Sequence, residues 1–167
     1  MHKMTEKNLS DAYAGESMAY MKYNIWADKA EKEGKNGVAK LFRAISHAEK
    51  VHATNHFRAL GMIKDSSKNL QGAIDGETYE VDEMYPSFMA VSDLQQEKAA
   101  SLSMHYSLEA EKIHAEMYKR AKEAVDSGKD QEVGDIYICP VCGFTHEGTP
   151  PDVCPVCGAK KATFKKF

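Results

Sequence analysis

No cysteine occurs in the first 138 residues of this 167-residue chain; all four lie between positions 139 and 157. Disulfide stapling of the longer part is therefore excluded, and in the short part clustered Cys-x-x-Cys pairs point to metal binding rather than cross-linking. An excess of either charge is missing too. Lys and Arg number 22 against 25 Asp and Glu, a formal net charge of −3, so there is no electrostatic reason to expect nucleic acid or an anionic membrane surface as partner. No apolar run approaches the ~18 residues of a membrane span. The opening Met1-His2-Lys3-Met4-Thr5-Glu6-Lys7 lacks the apolar stretch of a secretory signal. These absences predict a soluble, cytoplasmic chain of one domain with at most a small satellite.

What the chain does contain is one phrase written twice, Ala48-Glu49-Lys50-Val51-His52-Ala53 and, 62 residues later, Ala110-Glu111-Lys112-Ile113-His114-Ala115. Glutamate and histidine three residues apart share one face of a helix. The surrounding periodicity is helical. Leu9, Ala12, Glu16, Ala19, Tyr23, Trp26 and Ala30 form a stripe over residues 6–33, ended by Gly34. Val38, Phe42, Ile45, Glu49, His52, His56 and Ala59 form a second, which stops at Gly61. Residues 62–69 read as a polar crossover loop. Leu70, Ala73, Glu77, Glu80, Met84 and Phe88 make a third stripe, which Pro86 should kink or interrupt. Ser92-Asp93 offer an N-cap for a fourth helix carrying Ala100, Met104, Ser107, Glu111, His114, Tyr118, Ala121 and Val125. The architecture predicted is mainly α, a four-helix bundle whose two halves repeat each other.

A lone Glu-x-x-His is weak evidence, since such pairs commonly face solvent. Here five glutamates and two histidines (Glu16, Glu49, His52, Glu77, Glu80, Glu111 and His114) replace apolar residues near the middle of all four stripes. Burying one unpaired carboxylate costs several kcal/mol, and five together repel. A cationic centre resolves the conflict: two divalent ions held by a Glu-x-x-His from each of two helices and glutamates from the other two. Carboxylates mixed with imidazoles suit iron or manganese better than zinc or calcium. Asp82 points off the stripe and Glu83 stands beside it. His56 reads as a partly buried histidine, and His2, His47, His105 and His146 as surface residues. Tyr23, Tyr85 and Tyr118 are, on periodicity alone, core aromatics.

Residues 126–135 are a polar linker, dividing the chain into 1–133 and a 34-residue tail, 134–167, too short to hold a core unaided. The tail contains Cys139-Pro140-Val141-Cys142-Gly143 and Cys154-Pro155-Val156-Cys157-Gly158, with eleven residues between Cys142 and Cys154. Two such knuckles complete a tetrahedral thiolate site, each glycine supplying a left-handed turn. Spacing leaves the choice between redox iron and structural zinc open. Tyr137, Phe144, Phe164 and Phe167 are the expected hydrophobic cover.

Together these features resemble the rubrerythrins over nearly the whole chain. The carrying stretches are Ala14-Gly15-Glu16-Ser17, Ala48 to His52, Gly76-Glu77-Thr78-Tyr79-Glu80, Met84-Tyr85-Pro86, Ala110 to His114 and the tail from Tyr137 to Phe167. The resemblance implies a ferritin-like di-iron bundle followed by a rubredoxin-like domain with one iron on Cys139, Cys142, Cys154 and Cys157. Glu16, Glu49, His52, Glu77, Glu80, Glu111 and His114 would then be the di-iron ligands. Glu49 and Glu111 would bridge, Glu80 and His52 would exchange on reduction, and Tyr23 and Tyr85 would hydrogen-bond the carboxylates. It further implies reduction of hydrogen peroxide, with electrons from a rubredoxin or a flavoprotein NAD(P)H reductase. A homodimer or larger assembly is implied, in which the tail of one chain serves its neighbour's bundle. Ferroxidase or iron storage is the competing function; a bundle with a structural zinc ribbon is the non-enzymatic one.

Overall fold

The computed structural model describes all 167 residues, which form two compact units, Met1–Lys64 and Asp65–Phe167. The first is a helical hairpin of α1 (Lys3–Lys32) and α2 (Asn36–Ala59). Small residues let its helices approach closely: Ala27, Ala30, Ala39, Ser46 and Ala53 are its buried positions. Asn24 donates to Ser46 Oγ at 2.6 Å, and that hydroxyl donates to the Tyr20 carbonyl at 3.0 Å, so the polar atoms at the seam are satisfied. Tyr23, Trp26 and Phe42 cluster at 5.6–6.0 Å between ring centres, and Tyr13 meets Phe57 at 5.1 Å. Arg43 closes the loop end by pairing with Asp28 and Glu31.

The second unit begins with α3 (Ser66–Tyr79), capped by Asp65, whose side chain accepts from the Lys68 N–H at 2.9 Å. Half of the expected crossover loop is therefore helix, because Asp65 supplies the acceptor a first turn requires. A wide π-helical segment, Glu80–Met84, follows and leads into α4 (Tyr85–Leu94). Pro86 sits in the first turn of α4, where its missing N–H is harmless, so the predicted interruption takes the form of a π turn. The last long helix, α5, runs from Lys98 to Asp126. Its start corrects the expected cap: Ser92 and Asp93 lie in α4, and the chain turns at Gln96, whose φ of 60° is left-handed. Ser92 donates instead to Ser101 Oγ at 3.1 Å, and Ser101 donates to Asp93, which fastens the turn rather than opening a helix.

After α5 come three short strands, β1 (Ile136–Ile138), β2 (Thr145–Glu147) and β3 (Lys165–Lys166), in antiparallel order β2-β1-β3. This sheet closes over the cysteines and belongs to the same unit as α5. No helix is long and apolar enough to cross a membrane.

Candidate metal centres

Helical spacing places Glu49 and His52 one turn apart on α2, and α1 brings Glu16 beside them. His52 Nδ1 is 2.9 Å from Glu49 Oε2 and 3.8 Å from Glu16 Oε1. The second unit repeats the arrangement. His114 Nδ1 is 2.5 Å from Glu111 Oε2 and 3.9 Å from Glu77 Oε1. In each triad the candidate ligand atoms lie within 4.8 Å of one another, close enough to share an ion. The chain thus carries two matching carboxylate–imidazole sets, one per unit, and the repeat legible in the sequence returns as geometry.

Electrostatics in the second set are strained in the direction a cation relieves. Burial, then the Glu111 carboxylate beside it, pushes Glu77 up to about 7. Burial raises Glu111 as well, and burial followed by the charge of Glu77 raises Glu80. Three carboxylates that resist ionising together need either protons or metal ions between them. Glu80 opens the π segment and lies within electrostatic reach of Glu77 and Glu111, but it stands outside the tight triad. Tyr23 packs against Trp26 and Phe42, and Tyr85 is half-buried at the start of α4.

The four cysteines form the second kind of centre. Cys139 and Cys157 sulfurs are 3.5 Å apart, as are those of Cys142 and Cys154. A disulfide requires about 2.05 Å, whereas metal–sulfur bonds of about 2.3 Å in a tetrahedron separate sulfurs by roughly 3.8 Å. The knuckles are near copies: Gly143 N–H donates to the Cys139 carbonyl at 2.9 Å and Gly158 N–H to that of Cys154 at 3.0 Å, both glycines at φ 79°. Burial raises Cys142. Burial also opposes ionisation of Cys154, but the N–H groups of Cys157 and Val156 outweigh it and bring this thiol down to about 7.

The cover over the cysteines differs from expectation. Phe144 and Phe164 pack there edge-on, but Tyr106 of α5, Val156 and Ala159 fill the places assigned to Tyr137 and Phe167. Tyr137 is taken up in the sheet, and the exposed Phe167 ring lies under the Lys165 ammonium. His2 and His47 are exposed, whereas His105 and His146 are half-buried, the latter ring stacked on Phe144. Tyr106 and Thr145 are the residues sequence reasoning missed. Thr145 is buried and shares a hydrogen bond of 2.8 Å with His114 Nε2, and so joins tail to helix; Arg120–Glu147 at 2.8 Å does the same nearly two turns on. The tail therefore rests on α5 of its own chain.

Helices carrying paired Glu-x-x-His ligand sets, followed by a four-thiolate knuckle domain, define a ferritin-like carboxylate metalloprotein with a rubredoxin-like appendage. The rubrerythrin family model matches residues 7–122, and the model described as "Rubrerythrin, rubredoxin-like domain" matches 137–165; the chain belongs to the rubrerythrin family. It is 43% identical to rubrerythrin-2 of Clostridium acetobutylicum, covering 98% of this chain and 97% of that one. It is 31% identical to nigerythrin of Nitratidesulfovibrio vulgaris over 98% and 86% of the two chains. Among solved structures it is similar to fully reduced, all-ferrous nigerythrin, with a TM-score of 0.58, 29% identity and the same coverage of 98% and 86%.

Proposed function

We propose that this chain is a non-haem di-iron peroxidase that reduces hydrogen peroxide to water and protects against oxidative stress. The observation carrying it is the combination of two carboxylate–imidazole triads with a four-thiolate site that packs directly on the helix bearing one of them. Storage of iron has no use for a one-electron donor held at that position. Glu16, Glu49, His52, Glu77, Glu80, Glu111 and His114 hold the iron pair, and Cys139, Cys142, Cys154 and Cys157 hold a single iron.

Held by the two triads, reduced iron would supply the two electrons, one per ion, that peroxide needs together with two protons to become two waters. The protein's part is to furnish those protons and hold the ligands. Because Glu77 and Glu80 would hold iron as ionised carboxylates, the two protons would pass through water or carboxylates of the site that the iron leaves free. Glu49 and Glu111 are the least exposed carboxylates of their triads, as suits bridging ligands. Tyr23 and Tyr85 would be the tyrosines that orient the ligand carboxylates once metal is bound.

Cys139, Cys142, Cys154 and Cys157 would hold the iron through which electrons could arrive singly from a rubredoxin or a flavoprotein NAD(P)H reductase. The working form is a cytoplasmic homodimer or larger assembly. Its support is the exposed apolar side chains of the hairpin, among them Met18 (60%), Ile25 (56%) and Leu41 (62%), more than an isolated two-helix unit comfortably leaves in water. Steady-state turnover of iron-loaded protein with each oxidant tests the reading. Peroxide is expected to be consumed much faster than oxygen, and the reverse order would overturn it in favour of a ferroxidase.

A further inference from the structure

The two triads differ in one respect. His52 engages its unit only through Nδ1, and its side chain is 53% exposed. His114 is held at both ring nitrogens: Nδ1 faces Glu111 and Glu77, while Nε2 meets Thr145 Oγ1 at 2.8 Å. Thr145 is 4% exposed, and its hydroxyl also lies 3.1 Å from the Gly143 carbonyl, an acceptor to which it can donate. A hydroxyl has one proton to give. With that proton on Gly143, Thr145 can only accept from His114, so Nε2 carries hydrogen and Nδ1 presents its lone pair to the carboxylates.

We propose that Thr145 is a positioning residue for His114. It fixes the imidazole tautomer and ring plane that offer Nδ1 to a metal, and it ties that ring to the Cys142–Gly143 knuckle. The link runs through one residue: the Gly143 carbonyl accepts from Thr145, and Thr145 accepts from the ring. Gly143 lies against α5, with the position a Cβ would take 3.9 Å from Ala110 Cβ, so knuckle and helix are in contact where the link is made. Hydrogen bonds of this kind orient ligating histidines and raise their basicity. One triad thus has its imidazole held at both ring nitrogens, whereas the other has it held at Nδ1.

This rests on His114 being a metal ligand, and the experiment separates the two claims. Full-length protein, with the four-cysteine site filled and the triads loaded with diamagnetic zinc, is studied by nitrogen-15 NMR of its histidine rings. Zinc on His114 Nδ1, with a slowly exchanging Nε2 proton, is expected in the unsubstituted protein, a measurement that needs no variant to fold. Thr145→Val should speed exchange of that proton and weaken zinc binding at the triads roughly 10- to 100-fold. Thr145→Ser should restore both. Zinc bound through Nε2, or a Thr145→Val protein indistinguishable in exchange and affinity, would overturn the proposal. His114→Ala binding zinc at the triads as tightly as the unsubstituted chain would overturn the ligand assignment itself.

Discussion

Glu77 and Glu111 illustrate how a residue can be stable in the wrong charge state until its partner arrives. Glu77 is raised to about 7 by burial and by Glu111, so in the metal-free fold it holds a proton that the unfolded chain has already released. The folded state then binds more protons than the unfolded one between the ordinary glutamate range and about pH 7. The resulting stabilisation is complete below that window and is lost as pH rises through it. Chelated protein should therefore be less stable at about pH 8 than at about pH 5, by of order 1–3 kcal/mol once solvent screening is allowed for, and melt at a lower temperature there. Metal displaces that proton, so the loaded protein should gain stability over the same interval. Calorimetric melts across pH, with and without chelator, check both slopes; a chelated midpoint that does not fall would show that the carboxylates do not repel as described.

Among the elements, the helices followed from periodicity because burying a stripe is a local, repeating demand. Glu16, Glu49, His52, Glu77, Glu111 and His114 were legible for the opposite reason, since each breaks that demand at the same height. Boundaries were less legible. Asp65 as a cap competes with many polar residues around it, and the end of α4 depends on Gln96 accepting a left-handed φ, which no propensity announces. The Thr145–His114 and Tyr106–cysteine contacts span tens of residues and exist only once the tail has docked, so spacing carries no trace of them. The knuckles, by contrast, are local and demand glycine. Gly158→Ala meets no atom within 4 Å, so its cost is the left-handed backbone alone, about 1 kcal/mol. Loss of the four-thiolate chromophore should occur at lower temperature in that variant while helical ellipticity melts as before. Asp65→Ala should act in the complementary direction, weakening the α3 terminus by about 1 kcal/mol without moving the chromophore.

At the scale of the whole molecule, the carboxylate–imidazole triads and the four-cysteine cluster share no residue, and α5 carries one triad and packs against the cysteines. That arrangement predicts a separation of functions. In Cys142→Ser the thiolate site loses a ligand, and turnover driven by a reductase should fall by orders of magnitude, because electrons no longer reach the triads singly through the tail. The triads keep every one of their ligands. Chemically reduced Cys142→Ser protein, mixed once with peroxide, should therefore still oxidise its carboxylate-bound iron at a rate near that of the unsubstituted chain. Stopped-flow absorbance for the single turnover and nicotinamide oxidation for the steady state measure the two limbs independently. Loss of both would mean that the tail is needed to keep the His114 triad in shape, and the comparison with Thr145→Val would then tell whether that dependence runs through the one hydrogen bond. Retention of both would mean that electrons enter the carboxylate site directly, leaving the thiolate centre without the role its place on α5 suggests.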